Sequence, residues 1–176
     1  MALRQAPGGV HTAEVDHFVG RAGELAILDA ELQAVRAGRP RVVVVEGGAG
    51  IGKSSLLSRF VSEHRDVCVL RASGDEAEML LAWGLADQLL AGAGPAATEG
   101  STRAAAARWK DADPMAVGAQ LVAVLGDLQD GDRVVVVVVD DLHWSDQPSA
   151  RALLFALRRM QAGTGRGGPG PAGGPV

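Results

Sequence analysis

The sequence predicts an α/β protein, a parallel β-sheet with helices on both faces. Three short, apolar, β-branched segments, at residues 41–46, 67–70 and 133–139, have the composition of strands that are buried on both sides. Helical segments alternate with these strands, and this alternation is typical of a parallel sheet with crossover helices. At 176 residues, the chain is long enough to bury the core of one such domain.

Five helices are predicted from apolar residues that recur at spacings of three and four. The Asp113-Pro114 pair supplies an N-cap and a first-turn proline for the fourth helix. In the third helix, Leu80 and Leu81 are expected to face the core, and in the fifth, Leu154 is expected to do so. The predicted helices cover residues 22–37, 53–64, 76–90, 114–128 and 150–161.

Composition divides the chain into three parts. Residues 1–17 are predicted to be a flexible leader, and residues 18–162 form the domain. Residues 163–176 contain seven glycines and three prolines. Such a segment cannot bury enough apolar surface to offset the entropy of ordering, so this tail is predicted to be disordered.

Charge and cysteine content exclude several classes of protein. The net charge of −4 and the scattered basic residues argue against direct nucleic-acid binding. The single cysteine, Cys68, excludes an internal disulfide framework and fits a reducing compartment. The leader lacks the apolar core of a signal peptide, and the longest apolar runs are too short for a bilayer. We therefore expect a soluble, cytoplasmic protein without a membrane partner.

The segment between the first strand and the second helix matches the P-loop pattern G-x-x-x-x-G-K-[ST]. Glycines there let backbone amides turn towards phosphate oxygens, and the helix N-terminus adds positive potential. Lys53 is expected to reach the β- and γ-phosphates, and the Ser54 hydroxyl to bind Mg²⁺. The predicted nucleotide-binding residues are Gly47, Gly48, Ala49, Gly50, Ile51, Gly52, Lys53, Ser54 and Ser55.

Two acids end the third strand and form the second candidate element. Asp140 is placed to hold Mg²⁺, and Asp141 to orient or deprotonate an attacking water as the catalytic base. The carboxyl edge of a parallel sheet is where open α/β folds bind their ligands. The alternative is that both acids begin a solvated loop. His143 beside Trp144 is interpreted as a packed or solvated side chain.

Phe18-Val19-Gly20-Arg21, together with the stretches at residues 46–57 and 139–146, resembles the AAA+-related STAND branch of the ASCE P-loop NTPases. The pattern is most similar to the nucleotide-binding domains of large LuxR-type transcriptional regulators, and it covers residues 18–162. The resemblance implies that Val19, Gly20 and Arg21 lie near the adenine, which favours ATP over GTP. It also implies the sheet order 5-1-4-3-2, a nucleotide-driven switch and self-association through the ATPase domains.

The sequence departs from that family where a fourth strand with a polar sensor residue should begin. Glycine and proline follow instead, so the fold is expected to be incomplete at the C-terminus. The chain is expected to be either a fragment or the product of a reading frame that has shifted near Gly163. The missing strand would lie between the strands at 41–46 and 133–139. We expect a gap there rather than direct pairing, and weak or absent hydrolysis.

Competing hypotheses remain beside the regulatory ATPase. One is a nucleotide-binding module without turnover, because the sensor residue is missing. Another is a small P-loop kinase, for which residues 91–112 are the only candidate lid and carry few basic side chains. A free-standing DNA-binding regulator would need a helix-turn-helix segment, which the sequence lacks.

Overall fold

The computed structural model describes residues 2–5, 13–14, 21–94, 111–129 and 133–163. The predicted tail beyond residue 163 and most of the candidate lid lie outside these ranges. The elements are β1 Ala2–Gln5, β2 Ala13–Glu14, α1 Ala22–Arg36, β3 Val43–Glu46, α2 Lys53–Glu63, β4 Cys68–Ser73, α3 Gly84–Gly92, α4 Pro114–Leu128, β5 Val135–Asp140, a 3-10 turn Leu142–Trp144 and α5 Gln147–Gly163. Of the helices in these ranges, none combines the length and apolar composition needed to cross a bilayer.

The strands form two sheets. β4 and β5 pair in parallel, with Cys68 opposite Val135 and Ser73 opposite Asp140. β3 pairs antiparallel with β1, and the order in that sheet is β2-β1-β3. No ladder joins β3 to β5, and both strands lie wholly in the described ranges. The prediction that these two strands do not pair directly is therefore confirmed, whereas the pairing of β3 with a leader strand was not predicted.

Two apolar clusters lie on opposite faces of β5. One cluster joins α1 and α2, and Val43 and Val45 of β3 pack against it together with Val134 and Val136. The other joins α3, α4 and α5 over β4 and β5, and it includes Leu70 and Ala72 of β4. Since successive strand residues point to opposite faces, β5 contributes to both clusters.

β3 is not buried on both faces, contrary to the prediction from its valines. Its alternate residues differ in burial, and Val44 is 41% exposed. The reason is the arrangement of the helices: α3, α4 and α5 take their sheet contacts from β4 and β5. The valine run therefore has one face against α1 and α2 and one face towards solvent.

The third helix is shorter than predicted. α3 begins at Gly84, and residues 76–82 form turns in which Leu80 is 89% exposed and Leu81 is also exposed. Trp83 adopts a left-handed φ of 75°, which ends any helix that would run through it. The prediction that Leu80 and Leu81 face the core is wrong, because the helix starts after them.

The fifth helix faces α4 through small residues. Ala152 and Ala156 are buried, whereas Leu154 is 49% exposed, so its predicted inward position is wrong. A Cβ at Gly118 of α4 would lie 2.6 Å from the Ala152 carbonyl oxygen and 2.7 Å from Cδ1 of Phe155. Because the two helices approach so closely, α5 packs against α4 through the face that carries its alanines.

The helix cap predicted at Asp113 is confirmed. Its carboxylate accepts a hydrogen bond from the Met115 amide at 3.3 Å, and Pro114 is the first helical residue. Asp146 has the same role in α5, because its Oδ1 accepts from the Ser149 amide at 2.8 Å. α5 consequently starts three residues earlier than predicted.

Candidate nucleotide site

The loop after β3 has the backbone conformation of an anion-binding turn. Gly50 and Gly52 have left-handed φ angles of 72° and 84°, which a side chain would make unfavourable. The Ile51 amide donates to the Gly48 carbonyl at 3.4 Å, which closes a tight turn within the loop. The glycines at these positions are therefore required by the geometry and not only by the sequence pattern.

The start of α2 is open to a ligand. Gly52 is the N-cap residue and contributes no side-chain cap, so the first amides of the helix keep their hydrogen-bonding capacity. Ser54 and Ser55 are exposed there. The positive end of the helix dipole points to the same place. A phosphate group fits such a position without any further cationic residue.

Lys53 is held beside this opening. Its Nζ donates to the carbonyls of Gly47 and Gly48, at 3.0 and 3.1 Å. The ammonium group thus already lies within the loop and needs little movement to meet an anion there. The predicted role of Lys53 towards the phosphates agrees with this placement.

Arg21 also contacts the loop. Its guanidinium group donates to the carbonyl oxygens of Ile51 and Gly52. The amides of Gly52 and Lys53 share peptide planes with these two carbonyls, so they point to the opposite side of the loop. Val19 and Gly20, the other residues expected near the adenine, lie outside the described residues. A contact of Arg21 with the base stays a prediction.

The acidic pair follows β5 as predicted. The half-buried Asp140 is its last residue, and Oδ1 of Asp140 accepts a hydrogen bond from the Asp141 amide at 3.0 Å. The exposed Asp141 has a left-handed φ of 46°, which aspartate tolerates better than most residues. Its carbonyl accepts from the Trp144 amide at 2.8 Å, so the chain turns sharply after the strand.

The two halves of the candidate site stand on different sheets. The glycine loop follows β3, and the acidic pair follows β5, which no ladder joins to β3. Both strands pack on the cluster of α1 and α2. That cluster is the packing link between the two halves.

Hard oxygen donors are the ligands that Mg²⁺ prefers, and Ser54 and Asp140 supply a hydroxyl and a carboxylate. Within the described ranges, no group of three or more His, Cys, Asp or Glu side chains could hold a metal ion alone. This donor set fits Mg²⁺ shared with nucleotide phosphates, because Mg²⁺ is usually bound by one or two protein ligands, phosphates and waters.

The buried pair of Asp146 and Ser149 was missed as a functional feature. In the sequence, Asp146 stands out only as the last residue of the stretch at 139–146. Its side chain is 3% exposed and contacts the start of α3, more than sixty residues earlier in the chain. The signal in the sequence is the three-residue spacing of Asp146 and Ser149, which is typical of a helix cap. This spacing does not indicate that the pair also contacts a second helix.

The glycine loop, the open helix start and the strand that ends in two acids define a P-loop nucleoside-triphosphate-binding domain with an α/β fold. The family model described as AAA ATPase domain matches residues 17–166. The chain therefore belongs to the AAA ATPase domain family. Neither the comparison with curated proteins nor that with solved structures gives a significant match. The predicted P-loop NTPase class is confirmed.

Proposed function

We propose that this chain is the ATP-binding domain of a regulatory switch of the STAND type, similar to those of LuxR-type regulators, with weak or absent hydrolysis. The observation that carries the proposal is the open start of α2 behind left-handed Gly50 and Gly52, with Lys53 already inside the loop. ATP with Mg²⁺ is the proposed ligand. A cytoplasmic location and association between copies through this domain belong to the same proposal, which assigns no nucleic-acid or membrane binding to this chain.

Each residue has a role that its position allows. The amides from Gly50 to Ser54 and the Lys53 ammonium group bind the phosphates, and Arg21 keeps the loop in the binding conformation. Ser54 and Asp140 hold Mg²⁺, which neutralises phosphate charge when bound. Asp141 is the candidate base for a water molecule.

Binding is tested by calorimetry with ATP and Mg²⁺ on the wild type and on Lys53→Ala. A charge-assisted hydrogen bond contributes about 1.5–3 kcal/mol, so the affinity of the variant should fall by about one to two decades. Arg59→Ala is the matched control, because Arg59 lies on the same helix and pairs with Glu63 at 2.9 Å instead of contacting the loop. Equal affinities of wild type and Lys53→Ala would remove the nucleotide-binding proposal.

Hydrolysis is expected to be slow because the loop and the acidic pair are not joined by strand pairing. Positioning of reacting groups can contribute about 7–11 kcal/mol to catalysis, and a loosely linked site forfeits part of that contribution. Steady-state phosphate release should stay below about 1 s⁻¹, the low end of typical enzymes. Faster release, abolished by Asp141→Asn, would instead identify an efficient ATPase.

A nucleotide-binding module without turnover is the second candidate, favoured by the same separation of β3 and β5. Binding lost in Lys53→Ala, with no phosphate release above the rate of that variant, would select it over the slow ATPase.

A further inference from the structure

Asp146 joins the loop after β5 to a distant helix. Its Oδ1 accepts hydrogen bonds from the amides of Trp83 and Ser149, at 2.9 and 2.8 Å, and its Oδ2 accepts from the Leu85 amide at 3.3 Å. One buried carboxylate thus caps α5 and α3 together. A negative group at two helix N-termini is favoured by both helix dipoles.

Ser149 completes this contact. Its side chain is fully buried, and its hydroxyl accepts from the Ala86 amide at 3.0 Å. Trp83, the N-cap residue of α3, provides no side-chain cap. The first amides of α3, which have no partner inside the helix, are therefore satisfied by Asp146 and Ser149 of another helix.

The segment between Asp140 and Asp146 is held at its other side by Gly74. The Gly74 amide donates to the Asp140 carbonyl at 3.0 Å. A Cβ at Gly74 would clash with the Asp141 carbonyl and lie 2.9 and 3.0 Å from the backbone of Trp144 and Ser145. The loop is thus packed against the end of β4 at one side and anchored to α3 at its end.

We propose that Asp146, supported by Ser149, is a positioning residue for the acidic pair Asp140 and Asp141. It fixes the far end of their loop to the start of α3 and so sets where both carboxylates lie relative to the glycine loop. This inference rests on the proposed function, since it gives the pair a ligand to meet. A helix cap without this role would stabilise the fold and leave ligand binding unchanged.

The first test measures how much Mg²⁺ tightens ATP binding, by calorimetry with Mg²⁺ and with EDTA. In Asp146→Asn one of the two acceptor oxygens becomes an NH₂ group, which places a donor against one of the amides that Asp146 binds, so the anchor of the loop is weakened. We expect the Mg²⁺-dependent gain in affinity to fall at least about fivefold, while the affinity in EDTA stays within about twofold, because the glycine loop is untouched. Ser149→Ala should shift the gain in the same direction by less.

Asp113→Asn is the matched control. Asp113 caps α4 through the Met115 amide and has no hydrogen bond to the loop after β5. This variant makes the same exchange of carboxylate for amide at another helix cap, and both affinities should equal those of the wild type. A similar fall in the Mg²⁺-dependent gain in Asp113→Asn would show that general loss of stability is the cause, and would overturn the proposal.

The second test needs no ligand. Amide hydrogen exchange in Asp146→Asn and Ser149→Ala should speed up at residues 141–145 as well as at 83–86, whereas Asp113→Asn should affect only the start of α4. Faster exchange confined to 83–86, with an unchanged Mg²⁺ effect, would reduce the pair to a helix cap and overturn the proposal. Ser149→Ala decides the matter if Asp146→Asn does not fold.

The two proposals fail in different ways. A wild type that binds no ATP overturns the proposed function, and this inference with it. If Mg²⁺ tightens ATP binding to an equal extent in the wild type and in Asp146→Asn, this inference alone is overturned.

Discussion

Arg21 supports the glycine loop from outside, through the carbonyls of Ile51 and Gly52. Two carbonyls that point at a guanidinium group cannot also point into the phosphate position, where they would repel an anion. The contribution of Arg21 to nucleotide binding should therefore be indirect and independent of the base. A contact with the adenine, which the family resemblance implies, would instead make the contribution specific for ATP.

Arg21→Ala separates these two roles. Each hydrogen bond to the loop contributes about 0.5–1.5 kcal/mol, so we expect about tenfold weaker binding of both ATP and GTP. Calorimetry with the two nucleotides gives the comparison, and Arg36→Ala is the control, because Arg36 pairs with Asp66 away from the loop. A loss confined to ATP would contradict the indirect role and favour the adenine contact.

At the scale of elements, the contact between α4 and α5 depends on a single glycine. A methyl group at Gly118 would meet the Ala152 backbone and the Phe155 ring, whereas one at Gly126 of the same helix would meet nothing within 4 Å beyond the adjoining backbone of its own helix. Gly118→Ala should lower the free energy of unfolding by about 1–3 kcal/mol through overpacking. Gly126→Ala should raise it by about 0.5–1 kcal/mol through helix propensity.

Urea denaturation of the two variants measures this difference directly. Both changes add the same methyl group to the same helix, so the opposite signs isolate the close approach of α5. A stabilised Gly118→Ala variant would show that the helices are not held at the described distance.

The sequence predicted elements well where periodicity and local caps determine them. α2 and α4 begin where predicted, because the glycine loop and Asp113 directly precede these helices in the sequence. α3 was predicted eight residues too early, since its start depends on the carboxylate of Asp146, 61–63 residues away. The P-loop is predicted from its residue pattern between a strand and a helix, whereas Arg21 lies 30–31 residues from its partners in the loop and has no local pattern.

At the scale of the whole molecule, exposed valines on the strands favour aggregation. Val44 of β3 and Val137 of β5 are both exposed, by 41% and 37%. The second edge of β5 has no paired strand in the described part of the chain. Apolar strand edges of this kind are templates for association between chains.

We therefore expect an isolated chain of low stability that aggregates on heating. A double variant in which threonine replaces both Val44 and Val137 keeps the β-propensity of these positions and should scatter less light during a thermal ramp. Leu80→Ser is the control, because Leu80 is exposed in a turn away from the strands. A wild type that stays monomeric and melts cooperatively above the mesophile range of about 45–65 °C would contradict this expectation.

The separation of β3 from β5 has a consequence for how the molecule opens. One unit consists of β3, α1 and α2, and the other consists of β4, β5, α3, α4 and α5. The two units share one apolar cluster but no strand pairing. They should behave as two cooperative unfolding units, and amides of the glycine-loop unit should exchange at lower denaturant concentration. A nucleotide that contacts Lys53 in one unit and Asp140 in the other would bridge them. Saturation with ATP and Mg²⁺ should then merge the two exchange transitions into one.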